Sequence, residues 1–318
     1  MKISTSDKTL KSYIEKSKVI GENTKNIYLK KLSTIQNFIY KATLRTIMNN
    51  PYKFEKLLLE YCNSTKGRGG NEVLGDHAKQ GFIIAIISLF HHNQKLRDKH
   101  FEIYEKWDEI KKKYSEPIKQ KYLSNEPTPK QKDAYVTYEQ IVEGMKKLND
   151  GSPEKLLLAM YVYIPPVRSD YVNTKIYEKD PLVDDENYIV MNDSEAYVML
   201  HCFKTKKWYK EIRIEIPDIL SYQIKKSLEL NPREYLFVSS RSNKPYTSLK
   251  DPVKGYNSWA NETLKKLFNK PDFSLTMLRH IYISRKDLDL ANKSGLEQDE
   301  IARIMGHSVE TQRRYYWR

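Results

Sequence analysis

The last 45 residues of the 318-residue chain concentrate the side chains best suited to chemistry. Ser274–Asp287 (SLTMLRHIYISRKD) carries Arg279 and His280 side by side, Gly306-His307 follows, and Tyr315-Tyr316 stands close behind. A guanidinium is a planar, permanently charged fork for anionic oxygens. A phenol has a pKa of about 10, so a tyrosine attacks only with a base or strongly positive surroundings. Arginine, histidine and tyrosine gathered in one place suit reaction at a phosphate ester, where negative charge develops and must be stabilised.

Short helices must position these groups. Ser274 caps the helix that holds Arg279 and His280, Glu297–Met305 forms another that Gly306 ends, and Ser308 caps a last one bearing both tyrosines. Upstream, Thr137-x-x-Gln140 is a capping box opening TYEQIVEGMKKL, and Ser152-Pro153 starts EKLLLAMYVYI, which must stop at Pro165-Pro166. Strand-like runs follow at Tyr188–Met191, Ala196–Phe203 and Lys210–Ile216, the last two joined by Lys204–Tyr209. In the final run Ile212, Ile214 and Ile216 share one face while Arg213 and Glu215 share the other. Helices then resume, interrupted by Tyr235–Val238.

The N-terminal third reads as helical. Tyr28, Leu29, Leu32, Ile35, Phe38 and Ile39 recur at steps of three and four within Thr24–Tyr40, with Lys30 and Lys31 opposite. A second helix starts near Pro51. After a Gly-rich loop at Lys66–Gly75, Asp76 caps a third through Phe82, Ile83, Ile86, Ile87 and Phe90. Lys111–Asp133 is rich in Lys and Pro and reads as a helix tail followed by an exposed linker. The expected organisation is a helical domain over 1–110, a basic linker over 111–135 and a second domain over 136–318. The expected fold class is mainly α with a small antiparallel β-sheet.

Composition narrows the partners. Lys and Arg number 55 against 41 Asp and Glu, a net charge of +14, which favours a polyanion. No apolar stretch approaches a membrane span, and the N-terminus lacks the apolar core of a secretory signal. The two cysteines, Cys62 and Cys202, suit an intracellular protein without a disulfide framework. His77, His91, His92 and His100 have no carboxylate or cysteine at metal-ligand spacing, so no metal is expected.

Leu278-Arg279-His280, then Gly306-His307, then Tyr316 nine residues beyond that histidine, resembles the end of the tyrosine recombinase (phage-integrase) superfamily. The resemblance covers the second domain, while the first matches the family's core-binding domain in helical character. It implies a two-domain recombinase fold, with double-stranded DNA as partner and no cofactor. It implies an earlier arginine, matched by Arg168 in IPPVRSDYVNTKI, and a hairpin lysine, for which Lys204 is the best match and Lys206 and Lys207 are rivals. Pro165-Pro166 before Arg168 and Asp170 after it depart from the family's usual Gly-containing turn and later glutamate; that variant looks like the integrases of virophages and giant DNA viruses.

The implied chemistry follows physically. Two arginines grip the non-bridging oxygens of a phosphorane, tyrosine attacks phosphorus, and a lysine protonates the departing 5′-hydroxyl. The resulting 3′-phosphotyrosine keeps the bond energy for rejoining. Catalytic candidates are Tyr316, with Tyr315 as rival, Arg168, Arg279, His307, Lys204 and, in a supporting role, His280. Candidate DNA-contacting cations are Lys30, Lys31, Lys206, Lys207, Arg313 and Arg314. Thr276 stands where the family usually has a histidine, which leaves the base unassigned. The expected activity is site-specific recombination or integration. A type IB topoisomerase and a DNA-binding protein that has lost catalysis are the competing expectations. The resemblance also implies tetramers on DNA, with a free protein that can be monomeric. Because Arg318 follows Tyr316 by two residues, no exchanged helix beyond the tyrosine is expected. The expected location is inside the cell: cytoplasm or nucleus of a host, or a bacterial nucleoid.

Overall fold

A computed structural model describes residues 10–15, 17, 19–39, 42–66 and 73–317. The chain divides into two compact units, Met1–Ser124 and Asn125–Arg318.

The first unit is helical: α1 Ser12–Glu15, α2 Glu22–Phe38, α3 Leu44–Asn49, α4 Pro51–Ser64, α5 Asp76–His91, α6 Gln94–Lys99 and α7 Phe101–Leu123. Helix α5 is apolar around most of its circumference, and Phe82, Ile83 and Ala85 through Phe90 are all buried, so it forms the centre of the unit. Leu32 and Ile35 of α2, Phe54 and Leu58 of α4, and Trp107 and Ile110 of α7 complete the core. Three local expectations change. Phe38 is 70% exposed despite its place in the apolar repeat. Gly75, not Asp76, occupies the N-cap of α5. Lys31 folds back over the Phe82 ring, 4.2 Å from its centroid, instead of lying on the solvated face. Gly81 makes that possible, because a Cβ there would stand 2.7 Å from the Lys31 Cε. Most of the loop expected over 66–75 lies outside the described residues.

Much of the segment read as linker is helical. Helix α7 runs through Pro117 to Leu123, with Trp107, Ile110 and Ile118 buried at helical spacing. Pro129–Ala134 then forms α8, closed at its start by a Thr128–Gln131 capping box.

In the second unit α9 Tyr138–Lys146 opens on the expected Thr137–Gln140 capping box, and α10 Pro153–Val162 opens on Ser152 and ends before the double proline. A four-stranded sheet follows: β1 Lys175–Tyr177, β2 Tyr188–Met191, β3 Ala196–Leu200 and β4 Ile212–Glu215, in that spatial order. The sheet is mixed, which corrects the antiparallel expectation: β2, β3 and β4 are antiparallel, but β1 pairs parallel to β2. At three residues β1 is too short to show a period of its own, and it is held by its register with β2. The β3–β4 connection contains one helical turn, α11 Lys206–Tyr209. Helices α12 Asp218–Leu230, α13 Pro252–Phe268, α14 Leu275–Ser284, α15 Gly295–Ile304 and α16 Val309–Tyr315 complete the unit. Its core joins α10 (Leu156–Val162), the inner faces of β3 and β4 (Val198, Leu200, Ile212, Ile214) and the apolar side of α14.

Candidate active site

The double proline sets the first arginine. Helix α10 ends at Val162, and Ile164 and Val167, 2% and 1% exposed, anchor the turn on either side of the prolines. The Tyr161 hydroxyl donates to the Arg168 carbonyl at 2.6 Å, and the Arg168 amide donates to an Asp170 carboxylate oxygen at 3.2 Å. Asp170, two residues on, thus steadies the arginine's own backbone. Burial raises its carboxyl pKa, with the charge of Arg168 opposing.

Arg279 lies on the inner side of α14 and is 2% exposed. One terminal nitrogen donates to the Pro166 carbonyl at 2.8 Å and the other to the Met305 carbonyl at 3.3 Å. Arg168 donates to the next carbonyl, that of Gly306, at 2.8 Å. Both guanidinium groups therefore converge on the turn between α15 and α16. That turn exists because Gly306 ends α15 with φ +66°, a left-handed conformation that glycine adopts without steric cost. The Gly306 and His307 amides bond back to the Arg303 and Ala302 carbonyls at 2.9 and 3.0 Å.

His307 emerges from this turn 1% exposed. Burial, together with the charges of Arg279 and Arg168, pushes its pKa down to about 3. The imidazole is therefore neutral across the physiological range. Its Nδ1 lies 3.2 Å from the Ser308 carbonyl, a position that calls for the proton on that nitrogen. Nε2 is then the lone-pair nitrogen, and it is buried without a partner, as is the Nε of Arg279.

Tyr315 covers these groups. Its ring centroid lies 5.5 Å from that of His307 and 4.9 Å from the Arg279 guanidinium carbon. His280 holds the tyrosine from behind: its Nδ1 meets the Tyr315 carbonyl at 2.8 Å, and its ring stacks on Trp317 at 4.1 Å. Burial lowers the His280 pKa to about 4. Trp317 is tied in turn by its amide to the Ser284 hydroxyl at 2.8 Å. Tyr316 is half-buried against the cluster of Tyr282, Ile283, Leu290 and Met305.

The structure thus brings Arg168, Arg279, His307, His280 and Tyr315 together. Lys204, Lys206 and Lys207 are exposed on the β3–β4 connection; Lys206 donates to the Asp184 carbonyl at 2.8 Å. Thr276, in the first turn of α14, is exposed. Arg313 and Arg314 are exposed on α16, with Arg314 paired to Glu310 at 2.6 Å. Lys30 is exposed on α2 in the first unit.

Two residues that the sequence did not single out tie the lysine-bearing connection to the site. The Thr205 hydroxyl donates to the Gly306 carbonyl at 3.0 Å, the acceptor Arg168 also uses. The Tyr209 hydroxyl donates to the His307 carbonyl at 3.0 Å. Their placement four residues apart around one helical turn was the available signal. Among the described residues, no cluster of His, Cys, Asp and Glu could hold a metal, and no helix is long and apolar enough to cross a membrane.

No family model matches this chain, and no curated protein matches it. Among solved structures, the crystal structure of XerA recombinase is similar over 96% of this chain and 92% of its own, at 14% identity and a TM-score of 0.38. A likeness that remote assigns neither fold family nor activity to this chain.

Proposed function

We propose that this chain cuts and rejoins double-stranded DNA by the chemistry of the tyrosine recombinases, as a site-specific recombinase or integrase. The convergence of Arg168 and Arg279 on the Met305–His307 turn, with a buried neutral imidazole and a phenol against it, carries this reading. In the step proposed, the tyrosine oxygen attacks phosphorus and the bond from phosphorus to the 5′-oxygen breaks. A 3′-phosphotyrosine forms while the departing 5′-oxygen takes a proton from Lys204. The two guanidinium groups meet the charge that develops on the non-bridging oxygens. The phosphate diester seated between Arg168 and Arg279 offsets the charges that, beside burial, depress the His307 pKa. Nε2 of His307 then takes the phenol proton, which assigns to that residue the base left open by Thr276. His280 acts through the backbone of Tyr315 and is a positioning residue.

Geometry supports Tyr315 as the nucleophile, since its ring touches both Arg279 and His307; the nine-residue spacing from His307 supports Tyr316. The net charge of +14 supports a polyanionic partner. The test is a nicked suicide duplex drawn from a library of candidate element ends. A covalent protein–DNA adduct resistant to denaturant is expected, and Arg279→Lys reduces its rate by about 10²–10³-fold, the typical cost of one misplaced charge-stabilising donor. Exposure of Thr276 favours a second reading, a DNA-binding protein without catalysis. Tight site-specific binding with no adduct on any substrate would establish it instead.

A further inference from the structure

The β3–β4 connection presents Trp208 to solvent at 77% exposure, whereas Trp107 and Trp317 are 0% and 9% exposed. An indole is costly to leave in water, and this one sits on a loop that is held rather than loose. The loop is pinned at Thr205 and Tyr209 to the Gly306–His307 backbone. It then re-enters β4 through Lys210 at φ +57° and ψ −65°, with the Glu211 amide donating to the Tyr209 carbonyl at 2.6 Å. That is a γ-turn of the rarer, strained hand, and such strain persists only where the surroundings enforce it. Within this held turn the Tyr209 hydroxyl reaches the site while Trp208 stays in solvent. The Lys207 ammonium lies 5.9 Å from the ring, and Lys204, Lys206 and Lys210, all exposed, lie within four residues of Trp208 on the same connection.

An aromatic face set among cations is how proteins hold an unpaired nucleotide, the ring stacking on a base while the cations meet flanking phosphates. We propose that Trp208 stacks on a DNA base that has lost its neighbour at the strand break, so that this loop recognises interrupted duplex. The inference rests on the strand-transfer reading for its location, since Trp208 stands one residue from a side chain bonded to His307.

The experiment uses the full chain carrying both Tyr315→Phe and Tyr316→Phe, which removes cleavage. The probes are a 30-base-pair duplex, either intact or with a one-nucleotide gap opposite 2-aminopurine. Tighter binding to the gapped duplex is expected, with a change in 2-aminopurine emission. Trp208→Ala should weaken gapped-duplex binding by roughly ten-fold and intact-duplex binding by less than about two-fold, within the range for loss of one stacked base. Trp208→Phe should restore most of the difference.

Equal losses on both duplexes, or no loss on either, would overturn the proposal. So would a Trp208→Ala protein unchanged on DNA but reduced in mass by light scattering, which would make the loop a contact between copies. Failure of the strand-transfer reading shows up separately, as absence of adduct with both tyrosines intact.

Discussion

The ring of Tyr315 lies 5.5 Å from that of His307 at an interplanar angle of 31°, and the imidazole's Nε2 is buried with no hydrogen-bond partner. The Nε of Arg279, whose guanidinium carbon lies 4.9 Å from the same phenol ring, is likewise buried without a hydrogen-bond partner. A buried group left in that condition costs about 1–3 kcal/mol, so the arrangement favours a ligand that satisfies both.

The tyrosine pair can be resolved directly. Tyr315→Phe should abolish adduct formation on the suicide duplex, while Tyr316→Phe should retain it at a rate within about ten-fold of the parent. The reverse result would give the reaction to Tyr316 and make Tyr315 a ring packed against His307 and Arg279.

Stability should fall on mild acidification. His307 and His280 have folded pKa values of about 3 and about 4 against an ordinary 6.5, so the unfolded chain binds protons that the folded chain excludes. Their contribution is complete above pH 6.5 and is lost as pH falls toward 4, at up to about 1.4 kcal/mol per pH unit for each histidine. His91, exposed, and the half-buried His92 and His100 act in the same sense, and the raised carboxyl of Asp170 acts against it. Urea melts between pH 7 and 5 should show the loss, and His307→Asn should flatten the slope. An unchanged slope in that variant would contradict burial of a neutral imidazole.

Lys204→Ala should slow cleavage by about 10²-fold or more, the usual worth of a positioned general acid. A substrate with sulfur in place of the bridging 5′-oxygen leaves without a proton and should restore the rate. If that substrate rescues Lys206→Ala or Lys207→Ala and not Lys204→Ala, the proton donor is reassigned accordingly.

Gly306→Ala tests the turn on which both arginines converge. A Cβ there would find its nearest neighbours at 3.8 Å, ordinary contact distance, so the cost comes from φ +66° alone. Destabilisation of about 1–2 kcal/mol is expected in a denaturant melt. A larger loss would mean that the Arg168 and Arg279 anchors had moved as well.

Legibility in the sequence followed the length scale of each signal. The caps at Thr137, Ser152 and Ser308 and the left-handed stop at Gly306 are local chemistry, and each appears where the residues put it. The alternation of Ile212 and Ile214 likewise marks the buried face of β4. Helix α7 was obscured by its lysines and Pro117, although Trp107, Ile110 and Ile118 keep a helical period beneath them. Strand β1 was invisible because three residues carry no period and its pairing depends on β2. At the site, residue types were readable but facing directions were not. Nothing in the spacing told that Tyr315 would meet Arg279. The four-residue step from Thr205 to Tyr209 put both on one face without telling that the face would meet the Gly306–His307 backbone, because those contacts join segments about 35 to 100 residues apart.

The grip of His280 and Ser284 on residues 315 and 317 has a consequence for how labour is shared between copies of the chain. Both sides of Tyr316 are fastened to α14, the helix that carries Arg279. On the proposed strand-transfer reading, whichever of Tyr315 and Tyr316 attacks would be held to the scissile bond lying over its own chain's arginines. Each protomer in an assembly would then be a self-sufficient cutting unit, and cooperation between protomers would lie in timing, not in lending the nucleophile.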